Sequence, residues 1–78
     1  MKVKLPTITR AQTLCKLATQ CRGDVFVRSG RCIVDAKSIL GIFSLDLTKP
    51  VDVITDYLSN EEEADFINGL LKESILIE

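Results

Sequence analysis

Three hydroxyl side chains in this 78-residue chain stand where a helix would begin. Thr7 precedes Ile8-Thr9-Arg10-Ala11, Ser38 precedes Ile39-Leu40-Gly41-Ile42-Phe43, and Ser59 precedes Asn60-Glu61-Glu62. An oxygen at such a position accepts a hydrogen bond from an amide two or three residues on, and so satisfies one of the unpaired donors of the first turn. Ser59 with Glu62 adds the reciprocal partner of a capping box. Arg10, close to the first of these starts, is a candidate anion-binding residue, or simply a solvated cation. Other chemistry is excluded by residue type. The chain has no histidine, which removes Ser-His-Asp catalysis, imidazole-ligated metals and phosphohistidine.

Cys15, Cys21 and Cys32 are odd in number and irregular in spacing. They fit neither a disulfide framework nor a C-x2-C metal site, and read as free, mostly buried thiols of a reducing compartment. No metal and no cofactor is expected. Asp35 and Asp46 flank the Ser38 segment, but two acids in loops commonly face solvent or cap turns. An unrelated enzyme therefore has little support.

Eight of the ten Lys/Arg lie in residues 1–37, and nine of the eleven Asp/Glu in residues 38–78. This asymmetry means either a basic face for an acidic partner or two halves that interleave on folding. One Tyr, three Phe and no Trp, without a dense basic run, offer no platform for nucleic acid. The charged start Met1-Lys2-Val3-Lys4-Leu5-Pro6 has no apolar core, and no run is long enough to span a membrane. A cytoplasmic protein with no membrane association is expected. With 46% apolar and 27% charged residues, the chain reads as a single globular domain over residues 1–78.

The elements that position these residues are set by the spacing of apolar side chains. Residues 1–5 alternate as a short strand ended by Pro6. Ile8, Ala11, Leu14, Cys15, Ala18 and Cys21 then form one helical stripe, with Gly23 as its stop. Residues 24–28 and 31–35 read as a hairpin joined by Ser29-Gly30. Residues 38–45 give a helix of one or two turns with Ser38 as its cap. Pro50 opens a strand with Val51, Val53, Thr55 and Tyr57 on one face and Asp52, Ile54, Asp56 and Leu58 on the other. The last helix buries Ala64, Ile67, Leu70 and Leu71, and Gly69 within it permits close contact with the sheet. The apolar tail 74–77 must pack on something. The order β-α-β-β-α-β-α predicts an α+β fold: a four-stranded, mainly antiparallel sheet with helices on one face.

Lys37-Ser38-Ile39-Leu40-Gly41-Ile42-Phe43-Ser44-Leu45 resembles the signature of the HPr family, the histidine-containing phosphocarriers of the bacterial sugar phosphotransferase system. Family members carry a Lys-Ser-Ile-Met-Gly-Val-Met-Ser-Leu-like run here. The element order, the Gly23-Asp24-Val25 approach to the second strand and the acidic start of the last helix agree with it. The resemblance implies an open-faced β-sandwich. In active members the first helix begins with a Gly-Ile-His-Ala-Arg-Pro-like segment, whose histidine takes phosphate from enzyme I and passes it to sugar-specific enzymes. This chain has Pro6-Thr7-Ile8-Thr9-Arg10-Ala11. Ungapped counting from Ser38 puts Thr7 at the histidine position; matching Arg10 to the family arginine puts Ile8 there. Neither residue forms a phosphoramidate.

The resemblance also implies that Ser38 is a regulatory phosphorylation site, the substrate of a dedicated kinase whose product binds a catabolite-control repressor. Phosphate suits a helix start, where free amides and the positive dipole end meet it. The plain alternative is a cap worth about 1 kcal/mol. Ile39, Leu40 and Phe43 correspond to an apolar patch that docks partner proteins, rimmed here by Lys37 and Arg10, with Ile42 and Leu45 facing the core. The competing account buries all five. The expected role is a non-enzymatic regulatory or protein-binding module, with phosphotransferase-system enzymes, an HPr-type kinase or a transcriptional regulator as partners. The alternative role is a phosphocarrier with another acceptor. Thr7 and Thr9 would give stable esters unsuited to onward transfer, and Cys15 lies on an apolar stripe.

Overall fold

Alternation in the first five residues buries Val3 and Leu5 and leaves Lys2 and Lys4 in solvent, so the chain starts as a strand with one face committed to the core. In the computed structural model, which describes residues 1–73 and residue 75, this strand is β1 (Lys2–Val3). It is followed by α1 (Ile8–Thr19), β2 (Asp24–Ser29), β3 (Cys32–Asp35), α2 (Ile39–Phe43), β4 (Val51–Asp56) and α3 (Asn60–Lys72). The four strands form one antiparallel sheet in the order β1-β4-β2-β3. The fold is α+β, as the apolar spacing predicts.

One face of the sheet carries Val3, Val25, Val27, Val51 and Val53, all buried. Ala11, Leu14 and Ala18 of α1, Ile42 of α2 and Phe66 and Leu70 of α3 join them in a single core. The helices therefore cover that face alone. On the other face Asp52 is bridged by Lys2 at 3.1 Å and by Arg28 at 3.4 Å. These contacts join the basic first half of the chain to its acidic second half, so the two halves interleave. Hydrogen bonding from Lys2, helped by Arg28, holds the Asp52 carboxyl below its ordinary range against a smaller opposing effect of desolvation.

Several expectations shift in detail. The helix α1 ends at Thr19 with Gln20 as its cap, well before Gly23. Gly23 is required for another reason: a Cβ there would collide with the Tyr57 carbonyl oxygen, which is backbone and has no room to yield. Tyr57 itself breaks the alternation of β4 with a φ of 58° and points outward, 82% exposed. The hairpin tip falls one residue later than the spacing predicts. Ser29 pairs with Cys32, and Gly30, at φ 60°, supplies the first turn position at no steric cost.

The apolar stripe of α3 is rotated. Phe66 and Leu70 are buried, while Ala64 and Leu71 are exposed. Gly69 serves a helix–helix contact and not a helix–sheet one, because its missing Cβ would sit 2.8 Å from Leu17 Cδ2 on α1. Ser59 Oγ accepts from the Glu62 amide at 3.1 Å, as a cap should. The Glu62 carboxylate turns away from the reciprocal bond and accepts from the Arg22 amide at 2.7 Å. Of the tail 74–77, Ile75 is buried, and its carbonyl accepts from the Lys4 amide at 3.0 Å; the other three residues lie outside the described ones.

Candidate functional site: the short second helix

The helix α2 has five residues and five apolar or small side chains, too many for one buried stripe. Its start is fixed from two sides. Ser38 Oγ accepts from the Gly41 amide at 3.2 Å. Before it, Asp35 accepts from the amides of Lys37, through its carboxylate at 2.8 Å, and Ser38, through its carbonyl at 3.0 Å. At the far end the Ser44 amide closes on the carbonyls of Leu40 and Gly41, both at 3.1 Å. Leu45 comes next and is buried. The turn after it is held by Asp46, whose carboxylate accepts from the Thr48 hydroxyl at 2.5 Å and from its amide at 3.0 Å. Those bonds, the hydroxyl's first, keep the Asp46 carboxyl below its usual range. Asp35 and Asp46, the acids flanking the helix, are thus both engaged with turn backbones.

So held, α2 sorts its side chains sharply. Ile42 is fully buried, Ile39 is half-buried, Leu40 is 79% exposed and Phe43 is 40% exposed. The competing account, in which all five apolar residues are core, therefore fails for Leu40 and Phe43, and Ile39 is only partly buried. Close packing forces the choice of face. Gly41 lies against β3, where a Cβ would be 3.3 Å from Val34 Cβ, and this contact turns Leu40 and Phe43 outward. Leu40 and Phe43, three residues apart on the helix, thus leave a small apolar patch in solvent.

Lys37 does not rim this surface with a solvated charge. Its ammonium reaches back to the carbonyls of Cys21 at 2.9 Å and Gly23 at 2.8 Å, tying the segment before α2 to the loop after α1. Cys15 Sγ completes the tie, donating to the Lys37 carbonyl at 3.5 Å. Neighbouring Cys21 is buried. Desolvation, and then the Glu62 charge, push its thiol above the ordinary value against the pull of Lys37. Such a thiol is unsuited to nucleophilic work. The cysteines are all free, but Cys32 is exposed, contrary to the expectation of mostly buried thiols.

At the start of α1, Thr7 Oγ accepts from the Arg10 amide at 3.1 Å. Ile8, expected on the buried stripe, is 67% exposed. Periodicity alone assigns it inward, since one turn before Ala11 is a core position; the first turn projects past the edge of the core. Among the described residues no group of three or more Cys, Asp or Glu side chains is placed to hold a metal ion, and no helix is long and apolar enough to cross a membrane. No protein-family model, curated protein or solved structure matches the chain.

Proposed function

We propose that this chain is an HPr-like protein that has lost the phosphohistidine and acts by docking other proteins through α2. The observation that carries the reading is the outward presentation of Leu40 and Phe43 on a helix fixed at both ends by its own cap and turn bonds. Fold and sequence support it. The β-α-β-β-α-β-α order and the open antiparallel sheet are compatible with the family architecture, and Lys37-Ser38-Ile39-Leu40 stands where the resemblance requires a docking helix. Thr7 at the α1 cap and exposed Ile8 beside it leave no imidazole for phosphoryl transfer. The role is recognition, with phosphotransferase-system enzymes, the HPr-type kinase and a catabolite regulator as partner classes.

Ser38 is the regulated position of this reading. Its hydroxyl is exposed and caps a helix with no acidic residue in its first turn. Asp35, the acid before it, has its carboxylate bonded to the Lys37 amide, and an added phosphate would meet the helix amides. Calorimetric titration against enzyme I, the kinase and the regulator tests the docking. Folded Leu40→Glu and Phe43→Glu should each lose binding by tenfold or more, about 1.4 kcal/mol; unchanged affinity in both sinks the docking role. Incubation with kinase and ATP should label Ser38 and leave Ser38→Ala blank. Label acquired from phosphoenolpyruvate through enzyme I would favour a carrier with a non-histidine acceptor instead.

A further inference from the structure

The two edges of the sheet are finished differently. Beside β1, the Lys4 amide is bonded to the Ile75 carbonyl. At the other edge β3 has no neighbour among the described residues, and it carries neither proline nor a bulge in its register with β2. The hairpin turn of Gly30 and Arg31 makes Ser29 and Cys32 a hydrogen-bonded pair, and such pairs alternate along an antiparallel ladder. The Ala36 amide, which donates to the Val25 carbonyl at 2.9 Å, obeys the same alternation. The main-chain groups of Ile33 and the amide of Asp35 are therefore directed to the open edge, with Arg31 beside them in the turn; the Asp35 carbonyl is taken by the Ser38 amide. The side chains of Arg31, Ile33 and Asp35 share the face that the helices leave uncovered. Ile33, in the middle, is 57% exposed.

We infer that β3 pairs antiparallel with the β3 of a second copy, about a two-fold axis through Ile33, to give a continuous eight-stranded sheet in the dimer. Sequence order around Ile33 is self-complementary for this operation and for no neighbouring one. Centring on Ile33 sets it against Ile33 of the partner subunit and places Arg31 opposite Asp35 of the partner subunit, twice by symmetry. One Asp35 oxygen already receives the Lys37 amide; the other meets no such donor among the described residues and is the one that faces the guanidinium in this pairing. A slip of one residue would set Ile33 against Cys32 or Val34, whose main-chain groups point to β2 and not to the open edge. A slip of two sets Ile33 against Asp35 or Arg31 and dissolves both ion pairs. Charges at an exposed edge usually repel another strand; here their opposite signs at the two ends select one register. This pairing uses no side chain of α2 and stands independently of the docking role.

Sedimentation equilibrium of the full chain over a wide concentration range tests it. The weight-average mass should rise from the monomer's 8.7 kDa towards twice that value. Ile33→Lys sets like charges against each other at the axis, and Arg31→Glu sets carboxylates against carboxylates. Each should weaken association by about tenfold or more. Both positions are exposed, and circular dichroism should report an unchanged fold. The Ile33 amide should also gain protection from hydrogen exchange as wild-type concentration rises. A wild-type mass that stays monomeric at every concentration overturns the proposal. So does an association that both substitutions leave intact.

Discussion

In α2 the Ser38 hydroxyl accepts from the Gly41 amide at 3.2 Å; in α3 the Ser59 hydroxyl accepts from the Glu62 amide at 3.1 Å. The two caps are geometrically alike, but the helices they open are not. The first turn of α3 holds Glu61, Glu62 and Glu63, and its apolar residues Phe66 and Leu70 are driven into the core. The first turn of α2 holds no acid, one residue of the helix is buried, and Leu40 and Phe43 face water. A cap therefore says where a helix starts and nothing about its use. The surrounding charge and the direction of the apolar face decide whether the helix stabilises the fold or presents a surface.

Truncation of the apolar faces should separate the helices most. Phe66→Ala is expected to lower stability in urea denaturation by about 3–5 kcal/mol through transfer and cavity costs. Leu40→Ala should stay within about 0.5 kcal/mol, as exposed positions do. A large loss at Leu40 would return α2 to the core and end the contrast.

The glycines offer the next test. Gly69→Val drives methyls into Leu17 and should cost about 2 kcal/mol by overpacking. Gly41→Ala, which asks Val34 to give by only a few tenths of an ångström, should change the urea midpoint little, since the helix preference for Ala offsets the crowding.

Exchanging the caps for aspartate isolates the charge, because Ser and Asp cap about equally well. Ser38→Asp should raise stability by about 0.5 kcal/mol at low salt. Ser59→Asp, beside three glutamates, should gain nothing or lose. Melting temperatures at low and high ionic strength would show the difference shrinking as salt screens it.

The smallest effect is a pH response at the exit of α2. The Asp46 carboxyl titrates below its ordinary value because Thr48 holds it. Its support is complete above the unfolded-state value near pH 4 and is lost as pH falls through the lower folded value. The protection of the Thr48 amide from hydrogen exchange, taken relative to its intrinsic rate at each pH, should fall on acidification, and Asp46→Ala should abolish that dependence.

Strand order along the chain, the three caps and the inward valines are legible in the sequence because alternation and cap chemistry are local. The stripe of α3 is not. Ala64, Ile67, Leu70 and Leu71 satisfy helical spacing as well as the observed Phe66 and Leu70 do, and local spacing does not distinguish the two rotations. Gly23 misleads for a similar reason. A glycine after a helical run has the form of a stop, but the atom that excludes a side chain there belongs to Tyr57, distant in sequence. Lys37 has the look of a rim charge because its carbonyl partners on Cys21 and Gly23 come together only in the folded chain. In the candidate site, Ser38, the surplus of apolar residues and, through the resemblance, the outward side of Leu40 and Phe43 are readable, whereas the partial burial of Ile39 is set by neighbours that meet only in the folded chain.

The sheet order has a kinetic consequence. β3 and β4 lie on opposite sides of β2, so the connection that carries α2 must pass over β2 on the helical face. The β2–β3 hairpin closes a two-residue turn, whereas pairing β4 with β2 closes a loop containing β3, α2 and both flanking turns. Loop closure makes the longer-range step the later one. With Ile42 as its buried side chain, α2 rests on α1 and β3, neither of which needs β4 to be in place. Its outward face can therefore be set by the β2–β3 hairpin and α1, while the pairing of β4 with β2 closes the sheet afterwards.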